Sequence, residues 1–371
     1  MRVAAICGVL LLAGGLYVQL SDRMDTRQLH TPPGFRVEVF AETASPRLLA
    51  FSPGGTLLAT SSSEGTVTAF PDPKKSGRAV RSVAVLKDLD GPHGIAFHNG
   101  RLYIAEIKAV RRYDWDESAL KATNAAKIAD LPESLGGHMT RTLVFANGKM
   151  YVSVGSSCNV CQEADPRRAA VLEFNEDGSG MRIFARGTRN SVGLAFNRRT
   201  GTVWGSDNGR DWLGDDLPPE EVNDFGKDGG DFGWPACYGN RIPDLANGGS
   251  EARCRGTIPP KVKIQAHSAP LGIAFYDGQM FPAEYRGDLF VALHGSWNRS
   301  VPTGYKVVRV KMNDRGEPER VEDFITGWLP PGETRRGRWR GRPVGIAVGP
   351  DGSMYVSDDG SGLIYRVTYS K

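Results

Sequence analysis

Apolar residues recur along this chain in short runs broken by turn residues, and one register returns six times. Each unit enters from a polar or Pro/Gly loop, runs through an apolar strand, turns at Gly, and continues as a second β-rich strand. Pro92-His93-Gly94-Ile95-Ala96-Phe97 leads to Arg101-Leu102-Tyr103-Ile104-Ala105. Pro343-Val344-Gly345-Ile346-Ala347-Val348 leads in the same way to Ser353-Met354-Tyr355-Val356-Ser357. The other units start at Pro46, Thr140, Ser191 and Pro270, and further β-rich segments such as Val171–Phe174 and Lys306–Val310 fill them out to four strands.

Four-stranded repeats spaced by roughly 40–80 residues predict an all-β, six-bladed β-propeller. A pair of β-sandwiches does not explain six units in one register. The sixth unit runs out after Leu363–Tyr369, one strand short, while Phe35–Ala41 precedes the first unit without a partner. Adding that N-terminal strand to the last blade closes the ring and hides an open edge. With 46 Gly and 23 Pro the composition agrees with a turn-rich β fold. Hydrophobic residues make up 40% and charged residues 24% of the 371, so the chain is globular. Net charge is +4 with no basic helix, which argues against a nucleic-acid binder.

The N-terminus reads as a targeting segment. Arg2 precedes an apolar run from Ala4 to Leu20 in which only Gln19 is polar. Residues 1–28 are thus expected to be a cleaved signal, or an uncleaved membrane anchor plus linker, with residues 29–371 as the propeller. A periplasmic location follows, with the membrane touched only through that segment. Cys158, Cys161, Cys237 and Cys254 form an even set in an exported chain. Cys158-Asn159-Val160-Cys161 fits a zinc half-site or a redox pair. It is not a haem motif, because Gln162 stands where His is required. Two loop staples, Cys158–Cys161 and Cys237–Cys254, are the expectation.

In a propeller the loop entering each innermost strand and the loop after the second strand emerge on one face. Aligning the units places Arg47, His93, His138 with Arg141, Arg189 with Asn190, His267, and Arg340 with Arg342 in the first set of loops. The second set carries Ser156, Asn208-Gly209-Arg210, His294 with Asn298 and Arg299, and Asp358-Asp359. A cationic channel mouth follows, and guanidinium forks favour an anionic ligand. The run from Asp207 to Asn223 adds Asp211, Asp215, Asp216, Glu220 and Glu221, hard oxygens of the kind calcium takes. Each is equally compatible with a solvated loop.

At Arg189-Asn190…Gly193-Leu194-Ala195-Phe196, Glu221-Val222-Asn223 and Gly229-Gly230-Asp231-Phe232-Gly233-Trp234-Pro235 the chain resembles the pyrroloquinoline quinone (PQQ)-dependent aldose dehydrogenases. These are soluble six-bladed propellers that include soluble glucose dehydrogenase. Gly136-Gly137-His138, Cys158–Cys161, Leu293-His294-Gly295-Ser296-Trp297-Asn298-Arg299 and Gly341-Arg342-Pro343 are more similar to the sorbosone-dehydrogenase branch. The resemblance covers Leu29 to Tyr369. It implies PQQ over the channel mouth, a calcium ion bridging it to backbone carbonyls, and a His that takes the substrate hydroxyl proton.

By position, His138 is then the base, and Arg189, Asn190, Arg340 and Arg342 contact the cofactor. His93, Arg141, His294 and Arg299 complete the cofactor-binding set. Gly209 and Arg210 offer calcium-binding carbonyls, with Asp211, Asp215, Asp216 and Glu221 as further metal ligands. The sequence departs from the glucose enzyme at Val192, Arg210 and His294. A neutral imidazole is needed, so activity is expected to rise with pH through a histidine pKa at or below ~6.5. The substrate is a sugar or related alcohol or aldehyde, and electrons leave to an external acceptor. The alternatives are a calcium-dependent lactonase, or a non-catalytic propeller that binds a partner.

Overall fold

The structure, a computed structural model, describes residues 25–133 and 136–370. The apolar targeting run lies outside them. Six sheets are arranged as blades, each with four antiparallel strands, to which blade 3 adds a short fifth strand in parallel. The innermost strands are Leu49–Phe51, Gly94–His98, Arg141–Ala146, Leu194–Asn197, Pro270–Phe275 and Pro343–Val348, and each touches the next in cyclic order back to the first. All six are the apolar runs whose repeat defined the units. Phe35–Glu42 pairs antiparallel with Leu363–Tyr369 and supplies the outermost strand of blade 6, as the missing strand required.

The repeated Gly of the register has a packing role. A Cβ on Gly94 would lie 2.8 Å from the Arg141 carbonyl oxygen, and one on Gly345 would lie 2.5 Å from that of Arg47. Gly193 and Gly272 meet the backbone of Leu271 and Val344 in the same way. Neighbouring innermost strands can approach this closely only because no side chain intervenes. Buried hydroxyls pin the same seams. Thr60 Oγ1 donates to His93 O at 2.7 Å, Ser206 Oγ to Leu271 O at 2.6 Å, and Ser357 Oγ to Arg47 O at 2.5 Å. In blade 3 the Gly position is Thr142, whose hydroxyl donates to Val192 O at 2.5 Å.

Between blades, apolar side chains interdigitate, with Trp204, Tyr276, Phe290, Trp328 and Tyr365 fully buried. Blade 4 carries the long insertion, between Glu220–Asp224 and Val262–Ile264. Within it Gly230–Asp231 pairs in parallel with the outer strand of blade 3, Arg182–Arg186. Cys237 and Cys254 are joined by a disulfide there, and Cys158 and Cys161 by another. The pairing of Cys158 with Cys161 removes the zinc half-site reading.

Candidate functional site

His138 stands in the loop that enters the innermost strand of blade 3. Its backbone N–H donates to Ser156 O at 2.9 Å, and its Nδ1 lies 2.9 Å from Ser156 Oγ. The single hydroxyl proton of Ser156 is given to Cys158 O at 2.7 Å. The serine oxygen must therefore accept from His138, which fixes the proton on Nδ1 and leaves the lone pair on Nε2. Burial, with Arg189 next, lowers the His138 pKa to about 3. The ring is thus held neutral well below the pH near 6.5 at which a free imidazole takes up a proton.

Asn190 lies beside it, across Gly155. The backbone N–H groups of Arg189 and Asn190 donate to the two oxygens of buried Asp207 at 2.9 and 2.6 Å. The side chain of Asn190 is buried, and its Oδ1 has no hydrogen-bond donor among the described residues. An orphaned, buried amide oxygen at the mouth calls for a ligand.

Several expected cofactor arginines are already engaged. Arg189 gives Nε to Asn159 O and Nη2 to Asn159 Oδ1, both at 2.9 Å, and pairs with Asp211 at 3.1 Å. Arg141 is fully buried and donates to the carbonyls of His138 and Thr140, both at 3.0 Å, so it props the His138 segment from below. Arg342 donates to the carbonyls of His294 and Gly295 at 3.2 and 3.1 Å. Arg340 is different. It is half-buried, and its guanidinium makes no hydrogen bond or ion pair among the described residues.

Two further histidines, His294 and His93, are linked through Asp359 and Arg47. His294 Nε2 lies 2.8 Å from Asp359 Oδ1, Arg47 holds the other oxygen of Asp359 at 2.7 Å, and Arg47 Nη2 reaches His93 Nε2 at 3.4 Å. His93 is fully buried, with Nδ1 3.2 Å from Thr142 Oγ1. Burial lowers the His294 pKa to about 4 against the pull of Asp359, and takes that of His93 well below 6.5. The Asp359 carboxyl, opposed by burial but held by His294 and Arg47, sits at about 2.

The acidic run does not gather into a calcium cage. Asp211 is shared between Arg189 and Asn298. Asp215 takes the N–H of Ser300 at 3.0 Å, and Asp216 pairs with Arg299 at 3.0 Å, clamping blade 4 to blade 5 at the rim. Arg299 is thus a rim clamp. Glu221 is buried and accepts from Gly239 N at 2.7 Å and Asn223 Nδ2 at 3.1 Å. Among the described residues the one close trio of potential metal-ligating side chains is Cys158, Cys161 and Glu163, whose cysteines are already bonded to each other.

Among the oxygens left unspent near the mouth are Asn190 Oδ1 and the carbonyls of Gly209 and Arg210, which accept no hydrogen bond among the described residues. Hard neutral oxygens beside a cationic rim fit a calcium ion shared with an anionic cofactor. The free Arg340 fork fits one of its carboxylates. Asn159 is the site residue that motif reading missed. It holds Arg189 through two atoms and accepts the Asp211 N–H at 2.8 Å. Only its place inside the Cys158–Cys161 loop signalled it. Trp234 of the quoted Gly-Trp-Pro motif braces Asn159 from behind, at 3.4 Å.

A six-bladed ring with this mouth has the architecture of the soluble PQQ-dependent sugar dehydrogenases. The chain matches the TrAA12-like family over residues 29–370 and belongs to it. It is 32% identical to an uncharacterized protein of Borreliella burgdorferi, covering 93% of this chain and 92% of that one. It is 26% identical to a PQQ-dependent pyranose dehydrogenase of Coprinopsis cinerea over 92% of this chain, which spans 54% of that protein. The holo PQQ domain of pyranose dehydrogenase from Coprinopsis cinerea superposes with a TM-score of 0.80 at 25% identity, covering 92% of this chain and 97% of that domain. The calcium structure of a Trichoderma reesei family AA12 enzyme superposes with a TM-score of 0.81 at 22% identity, covering the same 92% and 97%.

Proposed function

We propose that this chain is an exported, PQQ- and Ca²⁺-dependent oxidoreductase that oxidises a sugar, or a related alcohol or aldehyde, and passes the electrons to an external acceptor. The observation that carries the reading is His138: neutral, tautomer set by Ser156, and presenting a bare Nε2 lone pair beside the orphaned Asn190 oxygen. Such an imidazole is a general base for a hydroxyl proton. Arg340, with Arg342 behind it, would hold cofactor carboxylates. Asn190 and the Gly209 and Arg210 carbonyls would hold calcium. When bound, PQQ supplies a two-electron acceptor and Ca²⁺ a Lewis acid for it. The chain's own part is to orient the sugar hydroxyl, accept its proton at Nε2, and release that proton to solvent.

Two disulfides favour an oxidising compartment, and a periplasmic location is part of the proposal. The residues similar to the sorbosone branch favour an aldehyde or sugar-derived substrate within that class. A lactonase would need carboxylates converging on the axis, whereas Asp211, Asp216 and Asp359 are tied to arginines. The test is to add PQQ and Ca²⁺ to the purified chain and follow cofactor absorbance and dye reduction over an aldose panel. No absorbance change and no dye reduction with any sugar would overturn the proposal.

A further inference from the structure

We infer that the site face of this propeller is also a membrane-docking face, built to sit on a bilayer rich in anionic phospholipid headgroups. The first observation is where the charge is. Residues 332–342 contain five arginines and one glutamate, an excess of four positive charges, equal to the +4 of the whole chain. The rest of the molecule is electrically balanced. Arg335, Arg336 and Arg338 of this loop are exposed. Arg335 faces only Glu333, Arg336 donates only to the Arg299 carbonyl at 2.8 Å, and Arg338 has no partner among the described residues. The loop joins the outer strand of blade 5 to the innermost strand of blade 6, so it crosses the site face from rim to centre.

A second observation is where exposed apolar side chains lie. Trp212 is 67% exposed and Trp297 57%, their rings 5.2 Å apart and edge to face. They belong to the site-face loops of blades 4 and 5, as do exposed Leu217 and Val301. Trp beside Arg at one level is the composition of a membrane interface. Among the described residues the site-face loops within blades 1 and 2 carry no exposed large apolar residue, and Met139, in the loop from blade 2 to blade 3, is the nearest. Docking through blades 4 to 6 therefore leaves that rim open to a water-borne sugar.

The third observation is where the N-terminal segment joins the fold. Pro318–Ile325 runs toward the site face, and Thr326, just past its end, exchanges backbone hydrogen bonds with His30 at 2.9 and 3.0 Å. Gln28 is packed against Gly327. The described chain thus begins on the site face, next to the arginine loop, and in sequence the apolar run of residues 4–20 lies just before it. An apolar segment and a polybasic surface together make the two signals that stable attachment takes. Each arginine near an anionic surface strengthens binding roughly fivefold.

The probe is vesicles of phosphatidylcholine with or without phosphatidylglycerol, used with the full chain and no cofactor, so the outcome is independent of the enzymatic proposal. We expect sedimentation with the phosphatidylglycerol vesicles, weakened by salt. Changing Arg335→Gln, Arg336→Gln and Arg338→Gln together should weaken it by about 10²-fold, with the melting temperature unchanged. Brominated lipid should quench tryptophan fluorescence, and Trp212→Phe with Trp297→Phe should remove most of that quenching while the protein still sediments. Equal binding to both vesicle types with no effect of the arginine changes would leave attachment to the N-terminal run alone and overturn the inference. So would quenching that survives loss of both tryptophans, or arginine-dependent capture of an acidic cytochrome without vesicle binding.

Discussion

His138 and Asn190 face each other across Gly155: a Cβ on that glycine would lie 2.5 Å from the Cβ of His138 and 2.7 Å from Asn190 Oδ1. The imidazole and the orphaned amide oxygen are held together by the absence of one methyl group. Gly155→Ala should force them apart without touching the blade cores. A misplacement of that order costs ~10²-fold in turnover. Steady-state kinetics beside a thermal melt checks this, and the melt should move little.

His138→Ala should lower turnover by ~10²–10⁴-fold with PQQ affinity nearly unchanged. Because the His138 pKa is lowered to about 3, it gives no acidic limb to the rate profile between about pH 5 and 9. A wild-type kcat/KM that rises through pH 6.5 and loses that rise in His138→Gln would contradict the buried, neutral ring.

Asn159→Ala leaves the backbone carbonyl that accepts from Arg189 Nε but removes Oδ1, which accepts from both Arg189 Nη2 and the Asp211 N–H. The Arg210–Asp211 peptide, whose carbonyl is a proposed calcium ligand, then loses its tether. Calcium affinity should fall by roughly 10–100-fold, the usual cost of losing an outer-shell partner. Titration of the PQQ-loaded protein with Ca²⁺ measures it directly.

Gly193→Ala places a methyl against the Leu271 carbonyl at the seam between blades 4 and 5. Overpacking of this kind costs about 1–3 kcal/mol. Urea unfolding should show a lower midpoint, whereas Gly201→Ala, with open space at its Cβ but a left-handed φ of 71°, tests backbone strain alone.

Acid should destabilise the fold through its histidines. His93, His138 and His294 are neutral in the folded state well below 6.5, while in the unfolded chain each takes up a proton near that value. Between about pH 6.5 and 4 these three histidines bind fewer protons folded than unfolded, so their share of stability falls as pH falls, while Asp207, Glu220 and Glu221, raised by burial to about 7, 8 and 8, act in the opposite direction. Each histidine contributes about 1.4 kcal/mol per pH unit. His294→Asn should flatten that slope by one histidine's share. A melt series in which wild type and variant run parallel would refute it.

The fold was legible because it is written in the spacing of apolar residues. Pro343 to Val348 and its five counterparts had to be strands, and the unpaired Phe35–Ala41 had one place to go. The site was legible as far as register reaches. His138, Arg189 and Asn190 stand in equivalent loops, so they had to share a face. Register does not say how a loop side chain spends its hydrogen bonds. Arg141 and Arg189 looked like free forks and are instead engaged by carbonyls and by Asn159. Asp215 and Asp216 looked like calcium ligands and instead clamp blade 5, because their partners Ser300 and Arg299 are far away in sequence.

The strand from Phe35 to Glu42 has a consequence in time. It completes a sheet whose other three strands are the last in the chain, with Phe35 opposite Tyr369. The ring cannot close until Leu363–Tyr369 has been synthesised. Until then Phe35–Glu42 has no sheet to join and the first blade no neighbour on one side. Contacts this distant in sequence fold slowly and expose pairing edges meanwhile. Loss of Leu363–Tyr369 would strand two unpaired β edges in one molecule and favour aggregation over a slightly smaller propeller.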